Sequence, residues 1–299
     1  MTCYRPLVAF KPLDGGPVSF SEKKNSREVQ LSCGQCIGCR IKKREDWAIR
    51  CYCESKLYPQ NSFLTLTYDD EHLPSDGSLN YEHFQLFMKR LRKRVGKLRF
   101  FMCGEYGENT DRPHYHALLF GYRPDDLVRA NSVYSADPIY DSSTVRKAWG
   151  KGHISIGDVT YASARYCAVY ATKRITGDLA RDHYARLNYA TGEITELQPE
   201  FAHMSLRPGI GAEWLKKFYP DLYLSGADAV VIDGQRRSIP RYFHSAMETI
   251  APLVLDEHQF KTYMEATKNP ENNTAERLQV REAVTLAKHS KYKEIPHAL

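Results

Sequence analysis

At 299 residues the chain is long enough to bury a full core and to form one large domain, or a domain with a substantial appendage. Its 42 Lys and Arg against 36 acidic residues leave a net charge of +6, which favours an anionic partner without establishing one, and no apolar run reaches membrane-spanning length. The opening residues MTCYRPLVAFKPLDGG hold no apolar segment with a small-residue cleavage site, so a cytosolic protein with no membrane partner is expected.

In a reducing compartment a tight cysteine cluster reads as a metal site rather than as disulfides. Cys33, Cys36 and Cys39 form C-x2-C-x2-C, and a fourth thiolate is available from Cys3, or from Cys51 or Cys53. Cys3 is the preferred partner and structural Zn²⁺ the expected ion. A ferredoxin-type run would place its next Cys where Lys43 stands, and metal-free thiols are the remaining alternative. A zinc here would stabilise an N-terminal element and present Arg40, Lys42 and Lys43 to an anionic partner.

Residues 40–58 space Ile41, Arg44, Ala48 and Cys51 at helical intervals up to Pro59 and predict a helix. Residues 63–68 alternate apolar side chains with threonine, the pattern of a half-buried strand. Asn80 is a good helix N-cap, and Phe84, Phe87, Met88, Leu91 and Val95 continue an amphipathic helix that Gly96 ends. Its outer face carries Lys89, Arg90, Arg92, Lys93 and Arg94, which form either a solvated surface or a track for a phosphate backbone. Strands follow at 98–103 and 114–120, joined by a turn around Gly107 and expected to pair antiparallel, then a short strand at 153–156 and a helix over 159–174 capped by Gly177. Turns at Ala190-Thr191-Gly192 and Asp233-Gly234 suggest hairpins, and Thr274 caps a last helix. This order suits an α+β fold, a central antiparallel sheet flanked by helices.

Two clusters carry chemistry. On a strand His114 and His116 share a face while Tyr115 points away, and Glu105 at the end of the preceding strand can come opposite them. Two imidazoles and one carboxylate suit Mn²⁺ or Mg²⁺, although an isolated His-x-His is also ordinary on a solvated strand. On the helix, Tyr166 and Tyr170 lie one turn apart with Lys173 on the next turn, a spacing that core packing also produces. Together they describe a phenol attacking a phosphodiester polarised by a divalent metal, with Lys173 stabilising the charge that develops.

Arg112-Pro113-His114-Tyr115-His116, the upstream Glu105, the strand Phe63-Leu64-Thr65-Leu66-Thr67-Tyr68 and Tyr166…Tyr170…Lys173 resemble the three motifs of HUH endonucleases, in the same chain order. The run Cys33-Gly34-Gln35-Cys36-Ile37-Gly38-Cys39-Arg40 and the later Pro208-Gly209-Ile210-Gly211 resemble the replication initiators of gokushovirus-type microviruses, small single-stranded DNA phages. The resemblance covers roughly residues 1–245. It implies a ferredoxin- or RRM-like nuclease core and a rolling-circle initiator in the cytoplasm of a bacterial host. One tyrosine would nick single-stranded origin DNA and keep the 5′ phosphate, leaving a 3′ hydroxyl for the host polymerase. The other would act when the origin is regenerated, and the displaced strand would be closed to a circle. Host helicase is a further implied partner.

The expected organisation is a Cys-rich N-terminal element at 1–58, a nuclease domain at 59–185 and a C-terminal extension at 186–299. Two other readings remain open. A plasmid initiator, relaxase or transposase of the HUH type would share the chemistry, whereas a non-enzymatic, zinc-stabilised single-stranded DNA-binding protein would need the cysteines and basic patches alone.

Overall fold

Strands β1 (Leu7–Pro12) and β2 (Ser26–Leu31) form an antiparallel hairpin at the start of the computed structural model, which describes residues 3–107, 110–130, 138–170, 178–187 and 192–290. Helix α1 (Ile37–Ser55) begins inside the cysteine run, three residues earlier than helical spacing alone predicts. Backbone proximity divides the chain into two compact units. One is Arg44–Pro252; the other comprises Met1–Lys43 and Leu253–Leu299.

The larger unit is built on β3 (Asn61–Tyr68), α2 (Tyr81–Val95), β4 (Arg99–Tyr106), β5 (Pro113–Phe120), β6 (Leu127–Ala130), β7 (Ile139–Ser142), α3 (Ser143–Trp149), β8 (Gly152–Gly157) and α4 (Tyr161–Tyr170). Further on come α5 (Asp178–Tyr184), the paired short strands β9 (Ala185–Leu187) and β10 (Ile194–Glu196), and β11 (Phe201–Met204). Helix α6 (Ala212–Tyr219), the hairpin β12 (Val230–Ile232) and β13 (Gln235–Arg237), and α7 (Arg241–Ile250) complete the unit.

Seven strands form one antiparallel sheet in the order β11-β4-β5-β3-β8-β7-β6, with helices on its faces, so the α+β architecture expected from the element order is present. Edge strand β11 comes from the stretch expected as a C-terminal extension and pairs with β4 instead. β6, β7 and α3 fill a region without clear periodicity; α3 is seven residues long and depends on its caps, Ser142 accepting from Val145 N and Gly150 turning out at φ 59°.

Period-two alternation gives the sheet two different faces. Leu64, Leu66, Tyr68, Met102, Tyr115, Ala117 and Leu119 point to one, where Phe84, Phe87, Met88 and Leu91 of α2 and Val145, Ala148 and Trp149 of α3 close a buried core. Phe101, Cys103, Leu118 and Phe120 point to the other and pack on Cys51 of α1 and on Ala164, Cys167 and Tyr170 of α4. The small side chains of Ala164 and Ala168, both fully buried, let α4 lie close to the strands.

Pro208-Gly209-Ile210-Gly211 is a packing element. Arg50 Nε donates to Ile210 O at 3.0 Å, Gly211 N donates to buried Glu54 at 2.7 Å, and Arg99 bridges Glu54 to the carbonyls of Pro208 and Gly209. Gly211 sits at φ +81°, and a Cβ there would meet the Phe243 ring at 3.0 Å, so this position needs glycine on both counts.

In the smaller unit, α8 (Pro252–Ala266) and α9 (Ala275–Ser290) accompany the N-terminal hairpin and the cysteine run. Thr274 Oγ1 accepts from Arg277 N at 3.4 Å, the cap expected for the last helix. Arg5 pairs with Glu282 at 2.8 Å and Tyr4 bonds Thr285 at 2.9 Å, tying the start of the chain to α9.

Candidate nuclease site and cysteine cluster

The register of four strands sets the site. Glu105, His114, Thr67 and His153 form one row across β4, β5, β3 and β8, and Cys103, His116, Thr65 and Ser155 form the next. All eight lie on the α1/α4 face, and β4 runs three residues further than its apolar pattern predicts, which carries Glu105 into the ladder opposite His114. Gly107 begins the connection, where a Cβ would stand 3.2 Å from His114 Nε2, so the glycine leaves that ring its place.

His116 Nε2 and Glu105 Oε1 are 2.7 Å apart, and both side chains are 5 % exposed. Thr65 Oγ1 lies 3.0 Å from His116 Nδ1, which orients the imidazole from behind. The His116 ring also stacks on Phe63, at 5.9 Å between centroids. His114 Nδ1 is buried and lacks a hydrogen-bond partner among the described residues. Carboxylate and imidazole are ligand types that a divalent cation accepts, but the ligand atoms of Glu105, His114 and His116 do not all lie within 4.8 Å of one another. The His114 and His116 ring centroids are 6.4 Å apart.

Helix α4 brings both tyrosines to this pair. Thr160 and Ser163 exchange backbone-to-side-chain bonds of 2.8 and 3.1 Å at its start, a reciprocal cap that sets the entry angle. One turn apart, Tyr166 and Tyr170 meet with their rings 4.7 Å apart, and Tyr170 OH donates to Tyr166 OH at 3.1 Å. Both rings contact His116, at 5.0 Å for Tyr166 and 5.7 Å for Tyr170. Tyr170 is buried while the Tyr166 side chain is 41 % exposed. Desolvation, the bond from Tyr170 and the nearby Glu105 carboxylate push the Tyr166 phenol well above its ordinary value. Lys173 lies outside the described residues.

The structure thus brings together Glu105, His116, Tyr166 and Tyr170, with His114 alongside. Sequence reasoning missed Thr65 and Phe63. The alternating strand 63–68 contained them, but only the β3–β5 register, Thr65 opposite His116, gives the threonine a partner.

The basic helix sits elsewhere. α2 covers the opposite face of the sheet from Glu105 and His116, and two of its cations are engaged locally: Arg90 donates to Leu86 O and Trp149 O, and Arg92 to Leu98 O at 2.8 Å. Lys89, Lys93 and Arg94 are exposed on its outer surface. Arg40, Lys42 and Lys43 occupy the first turns of α1, directly after Cys39.

Cys3, Cys33, Cys36 and Cys39 are the one group of three or more His, Cys, Asp or Glu among the described residues whose ligand atoms all lie within 4.8 Å of one another. Cys3, and not Cys51 or Cys53, is therefore the fourth thiol. Two sulfur pairs, Cys33–Cys39 and Cys3–Cys36, are 4.0 and 3.9 Å apart. Tetrahedral coordination with Zn–S bonds near 2.3 Å requires about 3.8 Å. Backbone N–H groups of Tyr4, Cys33, Gln35 and Cys36 donate to these sulfurs at 3.3–3.4 Å, as negatively charged thiolates require. Burial pushes the Cys3 and Cys39 thiols up, while at Cys36 burial is outweighed by the bonds from Tyr4 and Cys39, which bring its thiol down to about 7. The cluster is able to hold a metal ion such as zinc.

A sequence model of the replication-associated protein ORF2 family matches residues 61–175, the stretch that holds β3, β4, β5 and α4. The chain is 36% identical over 256 residues to the replication-associated protein VP4 of Bdellovibrio phage phiMH2K, covering 81% of this chain and 76% of that protein. It is 30% identical over 301 residues to the replication-associated protein ORF2 of Spiroplasma virus 4, covering 93% and 88%. Against ORF4 of Chlamydia phage 1, also a replication-associated protein, identity is 27% over 241 residues, covering 78% and 56%. No solved structure gives a significant match. With more than two thirds of two such phage proteins aligned at 30% identity or better, the chain belongs to the family of microvirus-type replication-associated proteins.

Proposed function

We propose that this chain initiates rolling-circle replication of a small phage genome by cutting and rejoining single-stranded origin DNA through a tyrosine. The observation that carries the proposal is the meeting of the Tyr166 and Tyr170 rings with the His116–Glu105 pair. Glu105, His116 and His114 would hold a divalent cation, Mn²⁺ or Mg²⁺, once their ligand atoms draw closer than the spacing the structure gives them. When bound, that ion supplies Lewis-acid polarisation of the scissile phosphate.

One phenol oxygen bonds phosphorus, the P–O3′ bond breaks, and the phenol proton is balanced by the one the departing 3′ oxygen takes up. The product is a 5′-phosphotyrosine and a free 3′ hydroxyl for the host polymerase. Because the phosphodiester energy is retained in the tyrosine link, rejoining by the reverse attack needs no nucleotide cofactor. Tyr166, the more exposed of the two side chains, would receive the first strand, and Tyr170 donates a hydrogen bond to it. Lys173, outside the described residues, is assigned from sequence spacing alone as a stabiliser of phosphorane charge. Zn²⁺ in the tetrathiol cluster would stiffen the N-terminal segment and set Arg40, Lys42 and Lys43 towards DNA.

The test is incubation with Mn²⁺ and a 5′- and 3′-labelled origin oligonucleotide. A covalent protein–DNA adduct is expected from the wild-type chain and none from the Tyr166→Phe, Tyr170→Phe double variant. An adduct that persists in the double variant overturns the nucleophile assignment. Absence of any adduct on phage-origin sequences overturns the nuclease reading and favours a DNA-binding role.

A further inference from the structure

At the start of β4, the end away from Glu105, the C-terminal turn of α2 and the segment after β11 enclose an open groove of about 640 Å³. Its walls carry Arg92, Lys97, Arg99 and Arg207 and no acidic side chain. Two of these are committed within the fold: Arg99 is paired with Glu54 at 2.5 Å, and Arg92 donates to Leu98 O. Lys97 and Arg207 are exposed and have no hydrogen-bond or ion-pair partner among the described residues. They lie far apart in the sequence, and only the pairing of β11 with β4 brings them to one groove. Beside them Leu206 is 72 % exposed, and Phe100 lends a half-buried ring to the floor.

We infer that this groove is a second DNA-binding site, which takes the phosphates of single-stranded DNA on Lys97 and Arg207 while Leu206 meets its unstacked bases. The inference rests on the DNA reading above. Unpaired cations in an acid-free concavity lower the free energy of a polyanion, and apolar side chains next to them favour a strand whose bases are exposed over a duplex that hides them. Glu105 is six residue steps along β4 from Arg99, about 20 Å at a strand's rise per residue. The groove therefore holds DNA flanking the cleaved segment and not the scissile phosphate. A strand that spans this distance engages both places.

The test is fluorescence anisotropy of the full chain without Mn²⁺, with single-stranded oligonucleotides of about 30 and about 8 nucleotides across a salt series. Lys97→Gln, Arg207→Gln should weaken binding of the long strand at least roughly tenfold and reduce the slope of log K against log salt by about 1.4, two phosphate contacts' worth on a single strand. Leu206→Ser should weaken it with the slope unchanged. Thermal melts coincident with wild type show that these surface changes leave the fold intact. Wild-type affinity and slope in the double glutamine variant overturn the groove. An equal loss of affinity for a duplex of the same length overturns its assignment to single strands. Because binding is read without cleavage, a chain that never forms an adduct still reports on the groove, and loss of groove binding leaves the wild-type adduct test standing.

Discussion

On one face of the central sheet Leu64, Leu66, Met102 and Tyr115 meet Phe84, Phe87 and Trp149, all with no solvent exposure; on the other, the neighbouring residues of the same strands are Thr65, Cys103, Glu105 and His116. Polar groups occur on both faces, but they are used differently. On the α2 side the hydroxyl of Tyr115 bonds Tyr68 OH at 2.8 Å and both the N–H and the carbonyl of Asn80 at 2.8 Å, so the network is closed and ties β5 to the N-cap of α2. On the α4 side a carboxylate and an imidazole are buried against each other, with a further ring nitrogen of His114 buried and without a partner among the described residues. Burying such groups costs free energy that an apolar pair would not, so stability alone does not account for them, and the proposed chemistry would.

Substitutions should separate the two faces. His116→Ala, on the polar face, is expected to reduce single-turnover adduct formation roughly a thousandfold or more, since it removes the interaction on which charge stabilisation is centred. Loss of stability without loss of adduct would make His116 a core residue. Phe87→Ala, on the apolar face, should cost about 3–5 kcal/mol of unfolding free energy by denaturant titration, while the remaining folded protein keeps its adduct rate. Thr65→Val preserves shape but removes the bond to His116 Nδ1, and should lower Mn²⁺ affinity or adduct rate about 10- to 100-fold with little change in melting. Tyr115→Phe, in the middle of the His-Tyr-His strand, should do the reverse, costing about 1–3 kcal/mol by leaving Asn80 groups unsatisfied and sparing the chemistry. A large catalytic effect of Tyr115→Phe would erase the distinction between the faces.

Local signals were legible and non-local ones were not. Helix α2 spans Tyr81–Val95, as Asn80 and Gly96 imply, because capping is a matter of adjacent residues: Asn80 Oδ1 accepts from Glu82 N at 2.9 Å. The alternation of 63–68 and the His114/His116 face were equally readable from period two. The extension of β4 to Tyr106 was hidden by Gly104, a weak strand residue, whose missing side chain admits the Phe201 ring; a Cβ there would lie 3.0 Å from it. That contact depends on β11, four half-buried residues with no periodicity to announce them. Likewise, composition located the positive charge of α2 but not the face of the sheet it covers, and the C-x2-C-x2-C spacing identified three thiols whereas the fourth, Cys3, was settled by folding. Of the residues expected at the site, the two tyrosines were the hardest to separate from packing. Tyr170 is in fact part of the core while its hydroxyl reaches Tyr166.

The most direct test of the account is to digest the adduct formed with Mn²⁺ and an origin oligonucleotide and to locate the nucleotide by mass spectrometry. The account predicts a 5′-phosphate ester on Tyr166 or Tyr170 and a free 3′ hydroxyl on the released fragment. An ester on any other residue, or cleavage that leaves no protein-bound nucleotide, would contradict it.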